Sequence, residues 1–217
     1  MPSSFNWEDP FLLESRLSSE EQMIMQTARS YAKNNLLPRI IEANRNCFFD
    51  PKILKEMGEL GFLGCTIKGY GAAEVSNVSY GLIAREIEKV DSAYRSALSV
   101  QSSLVINPIF EFGSDYLKNK YLPELITGHK IGCFGLTEPD HGSDPASMIT
   151  RAEKVANGYK ISGAKTWITN APIADIFIIW AKLYNDNDIK DGSICGFILE
   201  RNMEGLSTPS IEGKMSL

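Results

Sequence analysis

Apolar positions recur at helical spacing through the first part of the chain. Ser18 stands three residues before Glu21, the spacing of a capping box, and Met25, Ala28, Ala32 and Leu36 follow on one face. Pro38 predicts a stop or kink there. Asp50-Pro51 reads as N-cap and first turn of a second helix, with Ile53, Leu54, Met57 and Leu60 on one face and Gly61 as the residue that ends it. The stretch 69–77 (GYGAAEVSN) reads as a loop, and Val78, Leu82, Ile83, Ile87 and Val90 form a third stripe. Residues 96–107 (SALSVQSSLVIN) are small or apolar on most sides, as in a helix buried all round. Ser114-Asp115 starts a further helix, which Pro123 should interrupt and Gly128 should end.

From about residue 131 the period changes. Residues 131–137 (IGCFGLT) form a short apolar run, and the segments 150–156 and 159–162 flank Asn157-Gly158, a dipeptide favouring a type I′ hairpin turn. Lys165 to Thr169 reads as a strand, residues 174–183 (ADIFIIWAKL) as a buried strand, 185–192 as a polar turn, and 193–200 (SICGFILE) as a last strand. The expected class is α+β: a helical domain at 1–129, then a mostly antiparallel β barrel or sandwich at 130–217. Four or five strands are few for closing a barrel, and the open edges would need cover.

Composition narrows the function classes. With 217 residues the chain can bury roughly 70% of its unfolded surface without covalent staples. A net charge of -5 argues against a nucleic-acid binder. Cys47, Cys65, Cys133 and Cys195 are far apart, which argues against a zinc site or a disulfide framework; they read as small core hydrophobes. No signal peptide, transit peptide or membrane span is evident, so the expected location is the cytoplasm.

Three clusters hold unusual chemistry. In 134–145 (FGLTEPDHGSDP), Thr137, Glu138, Asp140, Gly142, Ser143 and Asp144 follow a strand, where amides and hydroxyls can bind an anion, or simply form a surface turn. In 163–172 (GAKTWITNAP), Trp167 lies between Thr166 and Thr169 and can edge a flat ring, or be a core residue of a strand. In 86–97 (EIEKVDSAYRSA), Arg95 can bind a carboxylate bidentately with Glu88 fixing its fork, or form a solvated ion pair. Tyr70 reads as a loop anchor and His141 as a surface residue. The common G-x-G-x-x-G and G-x-x-x-x-G-K-[ST] nucleotide motifs are absent.

Taken jointly, FGLTEPDHGSDP followed by GAKTWITNAP resembles the flavin-binding signature of acyl-CoA dehydrogenases. FNWEDP, EMGELGFLGCTIKGYG, AREIEKVDSAYRSALSVQSSLV and KYLPELITG make the chain most similar to the glutaryl-CoA dehydrogenases of that family. The resemblance covers essentially the whole chain and implies a little over half of a family member, without the C-terminal four-helix domain that carries the catalytic glutamate; no catalytic residue is assigned. It implies that Phe134, Gly135, Leu136, Thr137, Glu138, Gly142 and Ser143 wrap FAD, that Trp167, Ile168 and Thr169 border the flavin, and that Ser143 also lies near the CoA ester. It implies that Arg95 and Ser96 bind the distal carboxylate of glutaryl-CoA while Glu88 holds Arg95. Asp140-His141 departs from an Asn-Ser type pair at loop positions where the family varies. The implied partners are an electron-transfer flavoprotein and further copies in a homotetramer, or a separate C-terminal chain. The alternatives are a short-chain acyl-CoA dehydrogenase, or a flavin-binding scaffold fragment without activity of its own.

Overall fold

The structure is a computed structural model that describes residues 5–7 and 9–214. Residue 8 of the FNWEDP stretch and the last three residues of the terminal segment lie outside the described residues.

Local signals start the helices where the sequence places them. The Ser18 hydroxyl accepts from the Glu21 amide at 3.2 Å, and the Glu21 carboxylate accepts from the Ser18 amide at 2.9 Å, opening α1 (Ser19–Tyr31). Pro38 neither stops nor breaks the run. A π-helical stretch (Ala32–Leu36) leads straight into α2 (Leu37–Arg45), whose Leu37 amide donates back to the Ala32 carbonyl, and the widened turn just ahead of Pro38 accommodates its ring. Asp50 caps α3 (Lys52–Glu59) by accepting from the Lys52 amide at 3.0 Å. Past α3 the Phe62 amide donates to Met57 and the Gly61 amide to Gly58, with Gly61 at φ 72°, a Schellman ending. Leu60 lies beyond the last turn and is 40% exposed, so it leaves the buried face of Ile53, Leu54 and Met57.

Ser76 caps α4 (Asn77–Glu88), which buries Leu82, Ile83 and Ile87 but exposes Val78 in its first turn. A three-residue corner leads to α5 (Ser92–Ser99), then a second π-helical stretch (Val100–Ile106) and α6 (Asn107–Phe112). Within 96–107 most positions are buried, but Ser103, Leu104 and Asn107 face outward, and in α6 Phe112 is exposed. In α7 (Asp115–Ile126) Pro123 is accommodated inside the helix. It removes one ladder bond, while Leu122, Leu125 and Ile126, all buried, anchor the helix on both sides of it.

The Glu86 carboxylate, on α4, is buried yet faces three cations: Arg29 at 3.1 Å, Arg85 at 2.9 Å and Lys89 at 3.0 Å. Burial alone would raise its pKa, but the bonds from Arg29, Lys89 and Arg85 outweigh it and hold the group at about 2. A depressed carboxylate pKa stabilises fully above the unfolded value near 4.5 and is lost as pH falls toward about 2. The urea midpoint is therefore expected to fall across that acid window, and Glu86→Gln is expected to flatten the fall. An equally steep fall in the variant would assign it to other groups.

Five strands form one sheet around β4 (Ile176–Tyr184). β5 (Ser193–Glu200) runs antiparallel along one edge of β4. Along the other edge lie β1 (Gly132–Gly135) and β2 (Arg151–Val155), both parallel to β4, and β3 (Gly158–Ser162) pairs antiparallel with β2. The sheet is thus mixed, with two parallel pairings where a mostly antiparallel one was expected, because long connections after β1 and β3 return the chain in the same direction. The hairpin is present, but its turn lies one residue earlier, at Ala156-Asn157, and neither residue takes the positive φ of a type I′ turn.

Helices and sheet share one core. Gln101, fully buried, donates to the Leu125 and Lys130 carbonyls at 2.9 and 2.8 Å and accepts from the Gly132 amide at 2.8 Å. A Cβ at Gly132 would lie 2.4 Å from Val105, so only glycine lets β1 approach the helices this closely. Cys65 and Cys133 are buried, and burial pushes their thiols up to about 11 and about 12. Cys195 is half-buried and Cys47 is exposed, so Cys47 is not a core residue as expected. Among the described residues no helix is long and apolar enough to cross a membrane, and no His/Cys/Asp/Glu group is arranged to hold a metal ion.

Candidate functional site

β1 delivers the chain into the loop after Gly135. A Cβ at Gly135 would lie 2.6 Å from Ile179, so the strand end packs flat on β4. The Phe134 ring meets Trp180 edge-on at 5.9 Å. The loop folds back on itself through paired backbone bonds between Glu138 and His141, 3.3 and 3.2 Å long.

Glu138 is the centre of this loop. Its carboxylate is buried and accepts from the amides of Ile149 and Thr150 at 2.7 and 3.0 Å and from Lys165 Nζ at 2.8 Å. Burial pulls its pKa up, and the Lys165, Thr150 and Ile149 bonds pull it down further, to about 2. Lys165 Nζ, also buried, donates in addition to the Leu136 carbonyl at 3.0 Å. The Thr166 amide donates to the Thr137 carbonyl at 2.9 Å. These bonds lay residues 136–138 beside 165–167. The Glu138 side chain is therefore occupied by its own chain, and it can serve a ligand only by fixing Leu136 and Thr137.

Residues 165–169 do not form the expected strand. Trp167 takes φ 59° and Asn170 φ 67°, which a continuous extended ladder does not allow. The left-handed turn swings Trp167 outward, 66% exposed, where the sequence also allowed a core position. Ile168 is half-buried against the core, and the Asn170 amide group donates to the Gly132 carbonyl at 3.3 Å, tying the turn back to β1. The Thr137, Ser143 and Thr169 hydroxyls have no protein partner among the described residues. Gly142 is exposed, with nothing nearer than 3.8 Å to the place a Cβ would take. An exposed indole, free hydroxyls and an unobstructed glycine beside a strand end suit a flat, polar heteroaromatic ring carrying a phosphate group.

The second group stands on the α4–α5 corner. Arg95 Nε donates to Glu88 at 2.6 Å and Arg95 Nη1 to the Ser99 hydroxyl at 3.0 Å. Ser92 also bonds Glu88, and the bonds from Ser92 and Arg95 lower its pKa. Ser96 lies on the same helix, one residue past Arg95, and its carbonyl accepts from Ser99 at 3.1 Å. Among the described residues no hydrogen bond or ion pair joins this group to the loop group.

Tyr70, at φ 56°, meets Phe110 edge-on at 6.3 Å, which suits a loop anchor. Sequence reasoning missed Lys165 and Gln101. A lone lysine in a polar stretch and a glutamine in a serine-rich helix carry no signal of burial; only their distant partners give them roles.

Residues 18–129 match the family described as acyl-CoA dehydrogenase, N-terminal domain, and residues 133–217 match acyl-CoA dehydrogenase, middle domain. The crystal structure of glutaryl-CoA dehydrogenase from Mycobacterium smegmatis superposes with a TM-score of 0.90 at 42% identity, covering 96% of this chain and 52% of that one. A glutaryl-CoA dehydrogenase structure from the same organism in complex with FADH2 gives a TM-score of 0.89 at 38% identity, covering 94% and 51%. The mitochondrial isovaleryl-CoA dehydrogenase of Pongo abelii is 35% identical over 204 residues, 93% of this chain and 48% of that protein. The chain thus spans about half the length of the relatives it matches.

Proposed function

Because the chain belongs to the acyl-CoA dehydrogenase family through its N-terminal and middle domains, we propose that it supplies the flavin and acyl-carboxylate sites of an FAD-dependent glutaryl-CoA dehydrogenase. The observation that carries the glutaryl reading is the Arg95 fork, held on one side by Glu88 at 2.6 Å and on the other by Ser99 at 3.0 Å. A fork fixed in this way is suited to a carboxylate and leaves a plain acyl chain with nothing to pair with it.

Bound in this site, FAD would supply the hydride acceptor for oxidation of the acyl chain, for which side chains alone have no means. The chain's own residues bind and orient. The Thr137 and Thr169 hydroxyls donate to the ring edge, and Trp167 covers it. Gly142 and Ser143 let backbone and hydroxyl approach the pyrophosphate. Phe134, Gly135 and Leu136 belong to the segment that wraps the cofactor, Ile168 borders the ring, and Glu138 holds Leu136 in place through Lys165. Arg95 and Ser96 take the distal carboxylate, and Glu88 aims Arg95. Re-oxidation by an electron-transfer flavoprotein and assembly with further copies or a further chain belong to the same reading. No residue of the chain is assigned as the base that removes the α-proton.

Dye-coupled oxidation of glutaryl-, butyryl- and isovaleryl-CoA by the whole flavin-loaded protein tests this. Glutaryl-CoA is expected to lead in kcat/KM by at least about tenfold, the scale of one charge-assisted contact. A lead for butyryl- or isovaleryl-CoA would overturn the glutaryl assignment and leave the family unaffected.

A further inference from the structure

The Arg95 guanidinium carries five N–H groups. Two are used within the chain: Nε by Glu88 and one on Nη1 by Ser99. The other three, both on Nη2 and one on Nη1, have no protein partner among the described residues. Glu88 engages Nε at 2.6 Å and leaves the outer N–H groups of the fork to meet an incoming carboxylate, so their direction helps decide affinity. That direction needs two fixed points, because Nε alone leaves the fork free to turn about its bond to Glu88.

Two serines supply the fixing. The Ser99 hydroxyl donates to the Ser96 carbonyl at 3.1 Å, so only a lone pair is left to face Arg95, and Nη1 donates into it. Ser99 is the last residue of α5, where the helix passes into the π-helical stretch, and it is half-buried. On the other side Ser92 donates to Glu88 Oε1 while Arg95 takes Oε2, so each carboxylate oxygen has one donor and the plane of the carboxylate is set. Asp91 caps the same turn, accepting from the Ala93 amide at 2.8 Å, and makes the corner rigid.

We propose that Ser92 and Ser99 are positioning residues that set the rotation of the Arg95 fork, and so fix preference for an acyl chain ending in a carboxylate. The inference rests on the glutaryl reading above. Neither serine takes part in the chemical step; each acts through Arg95.

The test uses the whole flavin-loaded protein with glutaryl-CoA and butyryl-CoA. Ser99→Ala is expected to raise KM for glutaryl-CoA about tenfold, to leave kcat within about twofold, and to leave both constants for butyryl-CoA unchanged. Ser92→Ala is expected to act in the same sense and more weakly, and Ser99→Thr, which keeps the hydroxyl, to restore the low KM. A general packing role would move both substrates together, and that result overturns the proposal, as does no change with either. Arg95→Ala separates the two levels of inference. If it discriminates between the substrates while the serine variants do not, the serines alone are excluded. If it does not discriminate, the glutaryl reading fails and the serine proposal falls with it.

Discussion

Arg95→Ala is expected to lower kcat/KM for glutaryl-CoA by at least about a hundredfold while changing that for butyryl-CoA by less than about threefold. Two charge-assisted hydrogen bonds from the free N–H groups of Arg95 to a carboxylate contribute about 1.5–3 kcal/mol each when intact, and every 1.4 kcal/mol is a factor of ten. The loss should not be a folding effect. Arg95 and Glu88 are 36% and 44% exposed, so their pairing adds at most about 1 kcal/mol to stability, and Glu88 keeps its bond to Ser92 in the variant. Arg95→Lys should recover only part of the activity, because an ammonium presents a point charge in place of a planar fork. Steady-state rates with both substrates, alongside thermal unfolding of each variant, check this. Equal losses on the two substrates would assign Arg95 to the architecture of the corner and not to substrate selection.

Glu138→Ala is expected to destabilise the protein by about 3–5 kcal/mol, the cost of leaving one member of a buried ion pair without its partner. The Lys165 side chain is 8% exposed and the Glu138 side chain 1%, so water cannot replace the lost partner. The amides of Ile149 and Thr150 lose their acceptor as well. For a chain of this size the melting temperature should fall by about 10 °C. The double variant Glu138→Leu with Lys165→Met removes both charges and should recover only part of the stability, because the charge desolvation cost goes while the Ile149 and Thr150 amides and the Leu136 carbonyl stay without their partners. FAD affinity is expected to be lower than wild type in the single and the double variant alike, since both lose the Glu138–Lys165 bond and, among the described residues, 136–138 and 165–167 are joined in the double variant by hydrogen bonding only through Thr166–Thr137. Full recovery of FAD binding would show that the ion pair serves stability alone.

The local elements were largely legible in the residues. Ser18 with Glu21, Asp50 before α3, Gly61 after it, Ser76 and Ser114 each act within a few positions, so a cap reads the same in a sequence as in a fold. The pairing of Glu88 with Arg95 was legible for the same reason: seven residues across one corner keep them within reach. The family was legible in 134–145 and 163–172 taken together, although neither cluster alone outweighed its plainer reading.

The misreadings have a common cause. Pro38 was expected to stop or kink its helix and Pro123 to interrupt one; a π-helical turn precedes Pro38, and tertiary burial of Leu36, Leu122 and Leu125 carries the chain past both. Trp167 could pass for a strand residue, because nothing in TWIT announces a left-handed residue; the turn is held by Asn170 reaching the Gly132 carbonyl 38 positions away.

By itself the sequence determined where helices begin, that helices precede strands and that one hairpin forms, because those properties depend on near neighbours and residue type. Only the tertiary structure decided that β1 and β2 lie parallel to β4, that Gln101 seals the seam, and that Lys165 buries its charge against Glu138. Those outcomes depend on which distant surfaces exclude water together, and a buried charge or amide is tolerated only where a partner from another part of the chain meets it.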